Sequence, residues 1–287
     1  MTPTTRTRWA ILGLTGPAYL WLACTIFLPL AAMLALSFLD KSPLMPQPAS
    51  FTLANYAAFL GKSFYWPLTR WSIQLGFWVT LFCLVIGYPA AYALAKRVKG
   101  RWREAVFLLI VLPFWSNALV RVFSWTMVLR PNGIVDLGVQ SIFPGAPTVD
   151  LLFTYPAVVI GLVHSYLPYM ILTCYIALQA IDDSLIEAGR SLGATRFTTF
   201  RRVVLPLSLP GIISGAALIF VPVIGSFMEP RILGGTKGAT LGMSIEEQFT
   251  VTANWPLGSA LSFVLLAIVL IIFGILYPIL RRQGGNS

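Results

Sequence analysis

The chain has 287 residues, of which 57% are hydrophobic, 13% aromatic and only 10% charged, with a formal net charge of +10. Soluble domains carry about a quarter charged residues, so this composition excludes an ordinary soluble domain and points to a membrane protein. Cys24, Cys83 and Cys174 lie inside apolar runs without CxxC or Cys/His spacing, which excludes a zinc site and makes them small buried hydrophobes.

A bilayer-crossing helix needs about 20 mostly apolar residues, and six segments supply them: 9–39, 71–95, 105–129, 151–181, 207–228 and 257–280. Arg6 and Arg8 precede the first, but that run is too long for a signal-peptide core and 38–42 is no small-residue cleavage site, so a retained helix is expected. "KSPLMPQPAS" then reads as a linker and "FTLANYAAFL" as a short surface helix. The third run is broken only by Arg121, and "RPNG" and "FPGAP" signal turns after it. His164 is alone in the fourth and reads as a hydrogen-bonded bundle histidine. "LGGTKGATLG" makes a glycine-rich loop between the fifth and sixth.

Prolines 17, 29, 89, 113, 156, 168, 222 and 278 fall inside these runs. Lipid tolerates them where neighbouring helices satisfy the freed carbonyls. They fit kinked helices around a pathway, and equally the routine use of proline in membrane helices.

Lys and Arg concentrate in cytoplasmic loops. With the N-terminus inside, the inner segments hold thirteen: Arg6, Arg8, Lys96, Arg97, Lys99, Arg101, Arg103, Arg190, Arg196, Arg201, Arg202, Arg281 and Arg282. The outer segments hold six: Lys41, Lys62, Arg70, Arg130, Arg231 and Lys237. Both termini are therefore expected in the cytoplasm. The positive charge becomes a topology signal, and nucleic acid is excluded as a partner.

The inner segment "SLIEAGRSLGATRFTTFRRVVLPLSLPG" breaks the apolar pattern. Ser184 and Glu187 have capping-box spacing, and Asp182 and Asp183 suit the positive end of a helix dipole. The first short helix is expected to run through Leu192 and end at Gly193 in a left-handed conformation. Thr195 is expected to cap a second, which Leu205-Pro206 ends. Small residues Ala188 and Gly189 flanked by arginines fit a docking element for a cytoplasmic partner. They fit equally well an amphipathic loop held at the headgroups.

This segment resembles the EAA motif of permease subunits of bacterial ABC importers. The match runs through Glu187, Ala188, Gly189, Gly193, Val203, Leu205 and Pro206, with Gly for the second Ala and Val for Ile. "LPFWSNALVRVFSWTMVLRPNGIVD", "FMEPRILGG" and "NWPLGSALS" are similar to stretches of the spermidine/putrescine permeases. The resemblance implies an all-α membrane protein of six transmembrane helices with the type I importer (MetI-like) architecture, a single permease domain over 1–287. It implies that 182–206 is a coupling loop seated in a cleft of a cytoplasmic ATPase dimer. It further implies a second, paralogous permease subunit, a periplasmic or lipid-anchored solute-binding protein, and a location in the bacterial inner membrane with lipid around the spans. No P-loop GxxxxGK[ST] is present, so ATP and Mg belong to the partner. The chain is expected to bind no cofactor and to catalyse nothing.

The substrate the resemblance favours is a polyamine or similar small cationic amine. An opine, thiamine, iron or sulfate is the alternative, and an ion-coupled secondary transporter a more distant one. A cationic cargo needs acceptors and aromatic faces, for which Trp125, Tyr166, Tyr169 and Glu229 stand as candidates. Arg121, with Asn117 one turn away, is an ionisable residue within a span and so a functional candidate. It requires neutralisation by Glu229 or Asp136 if a cation is to pass it, or serves structurally by pairing with an acid. An intramembrane enzyme finds no HExxH or nucleophile constellation here.

Overall fold

A computed structural model describes the backbone of residues 5–42 and 48–284, and the side chains of 15–42, 48–112 and 115–275. Part of the proline linker, at 43–47, lies outside the described residues. So do the side chains of Arg6, Arg8, Pro113, Pro278, Arg281 and Arg282.

Every regular element among the described residues is helical, apart from one isolated β-bridge between Leu39 and Phe51. In chain order the helices are α1 (Thr5–Ser37), α2 (Ala54–Gly61), α3 (Tyr65–Lys96), α4 (Arg101–Val111), α5 (Ala118–Leu129), α6 (Ile134–Ile142), α7 (Tyr155–Gln179), α8 (Asp183–Ser191), α9 (Arg196–Thr199), α10 (Leu205–Ile224), α11 (Leu241–Thr250) and α12 (Trp255–Gly284). Five helical stretches are long and apolar enough to cross a bilayer: Thr15–Ser37, Tyr65–Lys96, Tyr155–Gln179, Arg196–Ile224 and Trp255–Ile275.

The third apolar run departs from the single span expected for 105–129. It forms α4, a 3-10 turn over Leu112–Trp115, and α5. Pro113 has no N–H to continue the ladder. Asn117, in extended backbone, then starts a new helix by accepting a 2.8 Å bond from the Leu119 N–H.

Contacts divide the chain into two compact units. One comprises residues 1–63 and 245–267. There the expected surface helix forms as α2. Asn55 Nδ2 donates to the Ser37 and Leu39 carbonyls at 3.1 and 2.8 Å, and Ser37 Oγ meets Tyr56 Oη at 2.7 Å. The linker's ends close on each other through Asp40, which accepts from the Ser50 N–H at 2.7 Å and its hydroxyl at 2.9 Å. The Ser50 N–H and then its hydroxyl hold the Asp40 carboxyl below the usual carboxylate range. Cys24, expected to be buried, is exposed on α1.

The other unit, 64–244 with 268–287, is organised around α3, α7 and α10. Leu75, Val79, Leu162, Met170, Leu178 and Ile219 are among its fully buried side chains. Lipid offers no hydrophobic reward for bringing helices together, so close approach depends on small residues and interhelical hydrogen bonds. Both occur. A Cβ at Gly211 would overlap that of Ala177 and lie 2.7 Å from the Thr173 carbonyl oxygen, and one at Gly215 would lie 2.8 Å from Met170 Sδ. Gly87 likewise admits Met170 against α3. Tyr88 Oη and Ser208 Oγ join α3 to α10 at 2.8 Å.

Candidate functional site

Two polar regions stand out in this second unit. The first is the elbow between α7 and α10. Helix α8 starts two positions earlier than the capping-box spacing suggested. Asp182, not Ser184, is the cap, accepting from the Ser184 N–H at 2.9 Å. That amide, and then the Ser184 hydroxyl, hold the Asp182 carboxyl below its ordinary value.

At the other end of α8, Gly193 has φ +80°. The Gly193 N–H reaches the Arg190 carbonyl at 2.9 Å and the Ala194 N–H the Gly189 carbonyl at 3.1 Å. These are the two bonds of a Schellman stop, for which glycine is suited. Thr195 restarts the chain as α9, its Oγ1 accepting from the Thr198 N–H at 3.2 Å. Gly189 faces Thr199 on α9, where a Cβ would sit 3.5 Å from Oγ1. Part of the room expected there for a partner is thus taken by the chain itself.

Leu205-Pro206 does not end the second helix. Residues Phe200–Val204 form a wide π turn in which the Leu205 N–H bonds back to the Phe200 carbonyl, and the chain runs on into α10. The missing proline N–H is absorbed by widening the turn at the point where a donor is lost.

Four contacts fasten this elbow to α3. Lys96 Nζ donates to the Ile181 carbonyl at 2.6 Å and to Asp183 Oδ1 at 2.7 Å. The Phe200 ring sits edge-on to Tyr88 and Tyr92, with centroids 6.1 and 5.9 Å away. Outward, Leu185, Leu192 and Phe197 are 47%, 88% and 72% exposed. Exposed apolar side chains on a short, charged helix pair form a surface suited to a partner.

The second region is a cavity of about 310 Å³ among α5, α7 and the turn after α10. It brings together Arg121, Tyr166, Tyr169 and Glu229 from the sequence-derived candidates, and adds Ser165 and Ser226. Glu229 is buried and accepts from Ser226 Oγ at 2.8 Å. The turn carrying both is pinned from behind: Thr240 Oγ1 donates to the Ser226 carbonyl at 3.1 Å, and a Cβ at Gly242 would strike the Gly225 and Ser226 carbonyl oxygens. The Tyr166 and Tyr169 rings lie 5.9 Å apart. The buried Ser165 Oγ has no hydrogen-bond partner among the described residues, and an unmet hydroxyl beside a cavity is available to a guest.

Two other candidates have different places. Asn117 is the cap of α5. Trp125 packs edge-on against His164, with centroids 5.4 Å apart. Asp136, weighed as a counter-charge for Arg121, instead holds the loop after α5. It is fully buried and accepts from the Val149 N–H at 2.8 Å, the Asn132 N–H at 2.9 Å and Gln140 Nε2. The Val149 N–H, then that of Asn132 and the Gln140 amide, hold its carboxyl below the ordinary value. Ser165 and Ser226 escaped the sequence reading because a serine inside an apolar run carries no pattern of its own.

A bundle of membrane-length helices, with a polar cavity between helices and a charged elbow, fits a membrane transport component. The chain belongs to the family of binding-protein-dependent transport system inner membrane components, matched over residues 84–283. It is therefore a multi-pass protein of the inner membrane. The spermidine/putrescine transport system permease protein PotB of Haemophilus influenzae is 36% identical over 271 residues, covering 92% of each chain. PotB of Escherichia coli is 35% identical over 245 residues, covering 85% of this chain and 88% of its own. Among solved structures, a bacterial ABC transporter involved in the import of the acidic polysaccharide alginate superposes with a TM-score of 0.78 at 17% identity, over 96% of both chains. That likeness establishes the fold as that of an ABC importer permease.

Proposed function

We propose that this chain forms the substrate pathway of an ATP-driven importer of polyamines or similar small cationic amines, and couples it to a separate ATPase. The observation that carries the substrate is the 36% identity, over 92% of the chain, to a permease named for spermidine and putrescine. The cavity suits such a cargo. Glu229 supplies a carboxylate that offsets Arg121 in the same wall, Ser165 and Ser226 supply oxygens, and Tyr166 and Tyr169 supply ring faces for an ammonium group.

The elbow is the coupling loop. Its partner is a cytoplasmic ATPase dimer that holds the ATP and Mg, against which Leu185, Leu192 and Phe197 dock around Glu187. Six crossings, with α4 and α5 together making the third, put both termini in the cytoplasm. A paralogous permease completes the pathway and a solute-binding protein delivers cargo from outside.

Uptake of labelled putrescine and spermidine into cells expressing the chain with its candidate partner subunits tests this reading, beside Glu187→Arg. Saturable uptake that Glu187→Arg abolishes while the ATPase still copurifies is the expected result. Uptake of neither amine overturns the substrate, and normal uptake by Glu187→Arg overturns the coupling role.

A further inference from the structure

Besides the pathway cavity, a cleft of about 320 Å³ opens beyond the C-terminal end of α7, between the end of α3 and the α8–α9 elbow. Five cations line it: Lys96, Arg97 and Lys99 from the α3 side, and Arg190 and Arg196 from the elbow. Of the two acids in its wall, Asp183 is already engaged by Lys96 at 2.7 Å. That leaves Glu187 to face four cations, and among the described residues none of Arg97, Lys99, Arg190 and Arg196 forms an ion pair. Converging like charges raise the energy of the folded state unless an anion sits among them.

The depth of the cleft indicates the kind of anion. Arg97 and Lys99 stand one and three residues beyond Lys96, the last residue of a membrane-length helix, which places them at headgroup level. Trp102, at the start of the next helix, is 71% exposed, as interfacial tryptophans are. Basic pockets at the cytoplasmic end of membrane helices accept phosphate headgroups, while a zwitterionic headgroup brings no net charge to balance the cations.

We infer that this cleft binds a phosphate-bearing anion, the headgroup of an anionic phospholipid. The bound phosphate bridges the loop after α3 to the coupling elbow, adding to the Lys96–Asp183 link a second tie that depends on membrane composition. Placement in the inner leaflet rests on the orientation proposed above, whereas binding itself does not.

Native mass spectrometry of the assembled transporter in mixed phosphatidylethanolamine and phosphatidylglycerol micelles tests it. The expected result is one more phosphatidylglycerol retained per copy of this chain in wild type than in Arg97→Gln/Lys99→Gln. A matched control, Arg130→Gln/Lys237→Gln, removes two exposed cations towards the other end of α7 and leaves the lipid in place. Both cleft residues are exposed, so the double variant keeps its melting temperature. Repeating the experiment with inorganic phosphate or pyrophosphate identifies the source. Displacement of the lipid by millimolar phosphate supports the same cleft chemistry with a soluble ligand, and resistance to it supports the headgroup. Equal retention of phosphatidylethanolamine, or undiminished phosphatidylglycerol on the double variant, overturns the inference. Uptake of amines measured on the same variants tests the transport reading separately.

Discussion

The elbow and the cavity are built in opposite ways. The elbow holds its shape through bonds spanning five residues or fewer, from Asp182 to Ser184, Gly189 to Ala194 and Thr195 to Thr198. The cavity has one such local bond, Ser226 to Glu229, and its other walls are far apart in the chain. Its polar side chains come from α5, α7 and the turn beyond α10, and glycines on α10 let that helix pack closely against α7. On the roles proposed above, a coupling element must keep one form while it is displaced as a body, so local rigidity suits it, and a pathway must change as its helices rock, so its geometry is better vested in helix packing.

The sharpest way to break this contrast is to put a similar side-chain change in each region. Gly211→Val drives its side chain into Ala177 and the Thr173 carbonyl, and a backbone atom cannot step aside. We expect a cost of about 3 kcal/mol, read as a fall in the melting temperature of the purified protein. Gly189→Ala, in the elbow, meets Thr199 at ordinary contact distance. There the better helix propensity of alanine yields a gain of about 0.5–1 kcal/mol, so the same measurement moves the other way.

Next in size is the stop of α8. Gly193→Ala forces a Cβ into the left-handed region, costing about 1 kcal/mol, with faster amide exchange at Gly189–Ala194 and reduced uptake at unchanged expression. Gly242→Ala probes the cavity's support instead. It presses the Ser226–Glu229 turn forward, and amine uptake should fall several-fold while ATPase binding is unaffected.

The smallest effect concerns the cap. The folded state lowers the pKa of Asp182, so its stabilising contribution is complete above the ordinary value of 3.8 and is lost as the pH falls through the depressed value. Exchange of the Ser184 and Leu185 amides should rise in that acid range in wild type. Asp182→Asn, which still caps, should flatten the dependence.

These differences also explain what could be read from the sequence. Gly193 and Thr195 were legible because a left-handed stop and a threonine cap are local events with residue-specific chemistry. Ser184 was a misleading cap because Asp182 stands two positions before it with equal capping ability. Lys96, 87 residues from Asp183, grips the helix start, a contact that no local pattern records. Proline read as a stop at Pro206, yet a π turn absorbed it. At Pro113 the same residue type did break a run, because Asn117 offered the chain a fresh start. Arg121, Tyr166, Tyr169 and Glu229 were individually noticeable as polar groups in an apolar chain, but their convergence depends on helix packing, to which the close α7–α10 approach at Gly211 and Gly215 contributes. Those glycines look like any others in the sequence.

The π turn at Phe200–Val204 has a mechanical corollary. Because the chain does not stop at Pro206, helix runs from Arg196 to Ile224, 29 residues, a rod of roughly 44 Å at 1.5 Å per residue. One end is clasped between Tyr88 and Tyr92 through Phe200, and the other opens directly into the Ser226–Glu229 turn. Tilting such a lever by roughly 5° about its coupling end sweeps the far end through about 4 Å over that length, comparable to the width of an ammonium group. On the roles proposed above for the elbow and the cavity, a displacement at the elbow would reach the cavity through one continuous run of helix.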